Sequence, residues 1–291
     1  MICEHASYRS AAPVNAITVD VEDYFQVSAF ERNVSRDNWE RLPSRVQRNT
    51  DRILELFDRY QAHATFFILG WIGDRFPQMV REIAEAGHEI ASHGRAHVRA
   101  TEQNPDQFGA DIRYTKQCLE DITGQKVLGY RAASFSIGAK NLWALDVIQQ
   151  SGYRYSSSIY PVYHDLYGMP EAPRFPFRIH SDSVLEIPAT TVDVLGYKLP
   201  CAGGGYFRLM PYPVSRWALR RVNRRDQQSA VFYFHPWEID PAQPRVSGIG
   251  YKTRFRHYFN LDRMERRLAR LLGDFTWDRM DRIFLQPRMS T

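Results

Sequence analysis

Cysteine is scarce: the 291 residues hold three, Cys3, Cys118 and Cys201. Three thiols this far apart make neither a disulfide framework nor a metal-binding pair, so the fold must rest on a packed core. Long apolar runs are missing as well. No stretch approaches the roughly 20 residues that a membrane-spanning helix needs. Residues 1–15 lack the cationic start and apolar run of a secretory signal, and on this reading the chain is cytoplasmic. There is no internal repeat, no low-complexity tract and no linker. The glycine run at residues 201–208 lacks a Lys-Ser/Thr pair opening a helix, which excludes a phosphate loop. It suits a place where backbone passes close to a ligand or a neighbouring strand. No basic helix or aromatic platform is arranged for nucleic acid.

What is present is a hydrophobic content of 44%, enough for one large α/β domain or two small ones. The net charge of +5 is driven by arginine, and much of it falls late: Arg216, Arg220, Arg221, Arg224 and Arg225, then Arg254 and Arg256. Such a run is either a set of solvated helix faces or a surface for an acidic partner, such as a phosphate-bearing lipid or an anionic glycan.

Periodicity gives the architecture. Residues 16–20 form a β-branched strand that ends in the acids Asp20, Glu22 and Asp23. A helix follows from Ser44, its plausible cap, with Val46, Ile53, Leu54 and Phe57 on one face. Residues 64–69 are a continuous apolar run, as in a strand buried on both faces. A helix over residues 77–86 starts at a proline and stops at Gly87. A short strand then leads into His93. Residues 107–122 form a helix stopped by Gly124. Strands at 126–130, 153–159, 185–188 and 230–234, and helices at 140–151 and from Asn260 to Gly273, continue the rhythm. Alternation of this kind means βαβ units and a mainly parallel sheet. So many consecutive units favour a closed or nearly closed barrel, whose chemistry sits at the strand C-terminal ends. Asp20, His93 and His235 fall at such ends.

His93 and His97, four residues apart, can reach one metal from a single turn, and the small residues Gly94 and Ala96 leave room beside them. A carboxylate would complete the set. With an unbroken period of two, Asp20 and Glu22 project to one side and Asp23 to the other, which favours Glu22; a bulge would bring Asp23 round instead.

Four segments in this order resemble the signature of the polysaccharide deacetylases (NodB homology domain, carbohydrate esterase family 4): Thr18 to Asp23, Ser92 to His97, Arg131 to Phe135 and Phe232 to His235. Within that family the chain is most similar to the branch at exosortase-linked exopolysaccharide loci, through Asp20 to Tyr24, the stretch Gly203 to Arg208 and Tyr258 to Leu261. It also resembles the allantoinase-like members. The resemblance covers nearly the whole chain and implies a distorted (β/α)7 barrel, a single domain over 1–291 with a C-terminal extension from about 240. It implies hydrolysis of the acetamide of an N-acetylated amino sugar, in a polysaccharide or a lipid-linked precursor, with Zn2+ or another divalent transition metal. His93, His97 and Glu22 or Asp23 would hold the metal. Asp20 would be the general base with Arg131 as its charge partner, and His235 the general acid. Ser134, Phe135 and Trp237 would line the oxyanion and substrate position. His164 is a further candidate for the cleft, whereas His88 and Glu238 read as structural.

Three departures from the family pattern stand out. The usual adjacent pair of aspartates is here Asp-Val-Glu-Asp. Ala133 replaces a proline, which loosens the turn that positions Ser134. Ser156 stands where the branch has an aspartate, so the anchor of Arg131 must be found elsewhere. Two other readings follow: an allantoinase-like hydrolase of a small amide, and a barrel that binds glycan without turnover. Peripheral contact of the arginine-rich segment with an acidic membrane surface is expected from charge alone.

Overall fold

The computed structural model describes residues 13–163 and 168–285; His164 and Asp165 lie outside them. Six parallel strands follow one another in the sheet: β1 (Asn15–Val21), β2 (Thr65–Ile68), β3 (Glu89–Ser92), β4 (Gly129–Tyr130), β5 (Tyr155–Ser156) and β6 (Leu185–Glu186). An antiparallel hairpin of β7 (Thr191–Val194) and β8 (Tyr197–Pro200) comes next. β9 (Val231–Phe234) then returns to lie parallel beside β1, giving seven parallel strands with β1 inside the sheet. A short β10 (Trp277–Asp278) pairs with the start of β1. The helices are α1 (Val46–Arg59), α2 (Gly70–Arg75), α3 (Pro77–Glu85), α4 (Pro105–Thr123), α5 (Trp143–Gln150), α6 (Gly204–Leu209), α7 (Tyr212–Arg224), α8 (Tyr251–Tyr258), α9 (Leu261–Asp274) and α10 (Met280–Phe284). None is long and apolar enough to cross a membrane among the described residues.

The sheet curls because its two faces bury different things. Ile17, Val19 and Val21 of β1 join the main core between sheet and helices. Ala16, on the opposite face, packs with Phe67, Ala91, Tyr155 and Val231 inside the curl. The two-residue period therefore turns Thr18 and Asp20 inward with Ala16. Met280 and Phe284 of α10 belong to the same inner cluster and plug its lower end. The curl is not sealed by a strand ladder between β6 and β9. Thr190 N–H donates to the Val231 carbonyl at 3.4 Å, and Tyr233 N–H to the Ala202 carbonyl at 2.9 Å. This is the distorted (β/α)7 barrel that the resemblance implies, and it agrees with the strand–helix rhythm.

Several elements are shorter or capped differently than their patterns suggest. The strands expected at 126–130 and 153–159 shrink to Gly129–Tyr130 and Tyr155–Ser156, as the following residues turn away to build the site. Ser44 does not cap α1. Its hydroxyl donates to Asp23 Oδ2 at 2.6 Å, and that same oxygen accepts the N–H groups of Arg45 and Val46 at 2.7 and 3.1 Å. Asn260 does not cap α9 with its side chain; its amide donates to the Arg208 carbonyl at 2.9 Å. The close approach expected at the glycine run does occur. A Cβ at Gly203 would lie 2.6 Å from the Tyr233 ring, and one at Gly204 would lie 1.8 Å from Glu238 Oε2.

Candidate active site

All seven strands are parallel, so the residues that follow them meet at one end. β1 delivers Asp20 and Glu22, the loop after β3 delivers His93 and His97, and the residue after β9 is His235. They line one cleft of about 200 Å³ together with Ser134, Phe135 and Trp237.

Glu22, His93 and His97 offer one ligand atom each within 4.8 Å of one another, all buried. Glu22 Oε1 lies 3.6 Å from His93 Nε2 and 3.4 Å from His97 Nε2. The tautomer of His93 is fixed from behind. Its Nδ1 is 2.8 Å from the Arg131 carbonyl, which can only accept, so Nδ1 carries the hydrogen. In the neutral ring the lone pair of Nε2 then faces a carboxylate oxygen. His93 Nε2 and Glu22 Oε2 are both buried without a hydrogen-bond partner. Burial alone would raise the Glu22 carboxyl, but His97, His235 and His93 outweigh it and hold it well below the usual range. Two imidazole nitrogens and a carboxylate aimed at one point, with His93 Nε2 and Glu22 Oε2 unsatisfied there, fit a divalent transition-metal ion with open coordination positions.

Asp23 is not part of this cluster. Besides its bonds to the start of α1, its Oδ1 accepts Tyr24 N–H at 2.9 Å. No bulge brings it back, and its carboxylate does the capping that Ser44 was expected to do. Nor do Gly94 and Ala96 simply leave space. Gly94 takes φ +76 beside Asp111, and Ala96 packs against the aromatic cluster around Phe25 and Trp39. The His loop is gripped from outside by Arg36, which donates to the carbonyls of Ala96 and His97 at 2.8 and 3.0 Å.

Asp20 is oriented by Arg131. The guanidinium donates to Asp20 Oδ1 at 2.6 Å and to Thr18 Oγ1 at 2.8 Å. It also lies 4.0 Å over the Phe67 ring. With Ser156 in place of an aspartate, the next residue takes over the anchoring. Arg131 donates to the Ser157 carbonyl at 3.2 Å and to Ser157 Oγ at 3.0 Å. The segment carrying Ser157 is pinned by Glu186 of β6, whose Oε1 accepts the N–H groups of Ser158 and Ile159, both at 2.8 Å. Burial pushes the Glu186 carboxyl up to about 7, against hydrogen bonds from Ser156, Ile159 and Ser158 and the charge of Arg131.

His235 is set the same way round as His93. Its Nδ1 lies 3.3 Å from Glu238 Oε2, leaving Nε2 in the cleft, 3.4 Å from Glu22 Oε1 and 3.9 Å from Asp20 Oδ2. Burial opposes a charged ring here, but Glu22, Glu238 and Asp20 together raise its pKa to about 9. Glu238, read from sequence as structural, is thus the residue that orients His235. It is held in turn by Arg208 Nε at 2.9 Å. Trp237 stacks on His235 at 5.2 Å and on His257 at 4.1 Å. The turn at Ser134 and Phe135 adopts φ 55° and 49° without glycine, a strained pair of the kind found at functional sites. Ser134 Oγ is bridged to Ser28 Oγ at 2.6 Å, which closes one wall of the cleft.

Residues 37–156 match the family described as polysaccharide deacetylase, and residues 157–285 match a domain of unknown function, DUF3473. The cleft draws on both spans and on β1, which precedes them. A peptidoglycan-N-acetylglucosamine deacetylase of Bacillus cereus is 33% identical over 75 residues, 26% of this chain and 27% of the relative. A peptidoglycan deacetylase of Helicobacter pylori is 27% identical over 108 residues, 37% of this chain and 36% of the relative. These alignments span well under half of the curated relatives' own length. In fold, the chain is similar to a candidate polysaccharide deacetylase from Mycobacterium smegmatis (TM-score 0.62, 16% identity, 100% of this chain and 99% of that one). It is also similar to a variant of a family 4 carbohydrate esterase pseudoenzyme with restored activity (TM-score 0.50, 14% identity, 95% and 70%). The second likeness makes plain that this fold alone does not guarantee turnover. Over residues 37–156 the chain matches the polysaccharide deacetylase family, the NodB, carbohydrate esterase family 4 type that its four motifs resemble.

Proposed function

We propose that this chain is a metal-dependent N-deacetylase that hydrolyses the acetamide of an N-acetylated amino sugar in a polysaccharide or its precursor. The observation that carries the proposal is the pair of orphaned buried atoms, His93 Nε2 and Glu22 Oε2, beside Asp20 and His235 in one cleft. Glu22, His93 and His97 would hold the ion, zinc or another divalent transition metal. Its contribution would be to polarise the amide carbonyl and acidify a water.

The chain's own groups supply the rest. Asp20 Oδ1 is engaged by Arg131, so Oδ2 is the oxygen left to take the water's proton. Thr18, Ser157 and Arg131 hold that carboxylate in place, which keeps the base oriented through the reaction. His235 keeps Nδ1 against Glu238 and would hand its proton from Nε2 to the departing nitrogen. The Glu238 carboxylate behind Nδ1 favours the protonated ring. The left-handed turn at Ser134 would present backbone to the developing oxyanion, with Phe135 and Trp237 packing on the sugar. Residues from both matched spans serve this one site, in keeping with one functional unit.

The test is acetate release from N-acetylglucosamine oligomers and from peptidoglycan fragments, with and without a chelator. Release that stops on chelation and returns with zinc supports the proposal. Metal-bound protein that retains glycan and releases no acetate contradicts it, as does chelator-resistant opening of a small cyclic amide.

A further inference from the structure

A second and larger concavity, about 510 Å³, lies beside α6 rather than over the cleft. Its wall on one side is Pro211, Tyr212 and Pro213 at the start of α7; on the other it is Arg263, Arg266, Arg267 and Arg270 of α9. The four arginines share one helix stripe because they recur at spacings of three and four. α7 and α9 together hold eight arginines against three acids, and the acids are largely engaged elsewhere. Glu265 pairs with Arg52. Asp274 accepts from Tyr212 and lies 3.0 Å from Arg216. Asp262 is 4.0 Å from Arg263 and mostly exposed. Arg266 and Arg270 have no carboxylate partner among the described residues. Arg270 instead lies over the Tyr212 ring at 4.4 Å. Arg267 is spent on the carbonyls of Phe207, Arg208 and Met210; burial and its like-charged neighbours Arg263 and Arg266 lower its pKa.

Large apolar side chains close in sequence to the proline wall stand in the open. Leu209 is 52% exposed, Val214 42% and Trp217 48%. They precede and follow Pro211–Tyr212–Pro213 in sequence, and Arg221 lies 5.7 Å over the Trp217 ring. A groove built only for a soluble anion has no use for exposed leucine, valine and tryptophan close in sequence to its wall. A half-exposed tryptophan with a guanidinium over its ring suits the boundary between headgroups and acyl chains.

We infer that the α6–α7–α9 face docks on an anionic lipid bilayer, with the groove arginines on lipid phosphates and Leu209, Val214 and Trp217 in the headgroup–acyl boundary. The face is tied to the cleft by two contacts. Arg267 grips the Arg208 carbonyl, and the Arg208 side chain holds Glu238. Docking would therefore place the mouth of the barrel beside the membrane surface, but the inference stands without the activity proposed for the cleft.

Co-sedimentation of the full chain with vesicles tests it. Binding should be absent with phosphatidylcholine alone, present when phosphatidylglycerol is added, and weakened by salt. Each arginine near an anionic surface contributes about fivefold, so Arg266→Ala with Arg270→Ala should lower partitioning about 25-fold. Trp217→Ala should weaken binding while leaving its salt dependence unchanged. None of these residues touches the cleft, so metal content should stay as in the parent protein. Equal binding to both vesicle types, or none to either, overturns the inference. Tight binding of inorganic diphosphate without vesicle binding also overturns it, because the groove would then serve a soluble phosphate.

Discussion

Glu186 offers a prediction with a sign and a size. Its carboxyl is fully buried, Oε1 holds two backbone N–H groups, and Oε2 has no hydrogen-bond partner. Burial raises its pKa from 4.5 to about 7. A carboxyl raised in the folded state stabilises the protein fully below its unfolded pKa, and that stability is lost as pH rises through the folded value. Between pH 5 and pH 8 the loss from this one group is about 2.5 kcal/mol. Glu186→Gln keeps an acceptor for Ser158 and Ile159 but cannot ionise. Urea unfolding at both pH values should therefore show the parent protein losing about 2.5 kcal/mol more than the variant over that interval. Other raised carboxyls, Glu89 at about 8 and Asp111 at about 6, titrate in both proteins and cancel in the comparison. Parallel pH profiles would refute the reasoning, since Glu186 would then not be the group held protonated. Glu186→Leu removes the acceptor for two buried N–H groups, at about 1–3 kcal/mol each. It should also lower turnover with metal retained, because Ser157 would lose its hold on Arg131.

Three further outcomes follow from the geometry. His235→Ala should keep metal content and lower amide turnover by roughly 10²–10⁴-fold, with a much smaller effect on an aryl acetate whose leaving group needs little protonation; equal losses on both substrates would remove the general-acid role. Asp23→Asn should cost about 1–2 kcal/mol in thermal or urea unfolding through the start of α1, and a change in metal affinity larger than its change in stability would count against that capping role. Gly204→Ala places a methyl group 1.8 Å from Glu238 Oε2, so either folding or the His235–Glu238 contact should suffer, read as lost soluble protein or as a lowered His235 pKa by NMR titration.

Much of the barrel is legible in the sequence for a simple reason. Strands buried on both faces read as unbroken apolar runs, as at residues 64–69 and 230–234, and the first polar residue after each run marks the strand end. His235 is legible in this way, whereas Asp20 ends a β-branched strand and His93 follows a short apolar alternation. The choice between Glu22 and Asp23 is legible only in part, because the period of two favours Glu22 but cannot exclude a bulge after Val21, and the structure has Glu22 with His93 and His97. Glu186 and Glu238 were not legible as site residues. Glu186 acts on backbone N–H groups 27 and 28 residues away, and Glu238, which meets His235 directly, is held for that contact by the distant Arg208. Helix α6 was missed because three consecutive glycines read as loop, whereas the real constraint is the closeness of Tyr233 and Glu238. The arginines of α7 were visible, but their grouping with those of α9 needed the fold.

The most direct measurement is a zinc titration of the metal-stripped chain by equilibrium dialysis, beside Glu22→Gln and Asp23→Asn. One tight site per chain is expected, abolished or greatly weakened in Glu22→Gln and kept in Asp23→Asn. No tight site, or one that survives Glu22→Gln and fails in Asp23→Asn, would contradict a metal centre built from Glu22, His93 and His97.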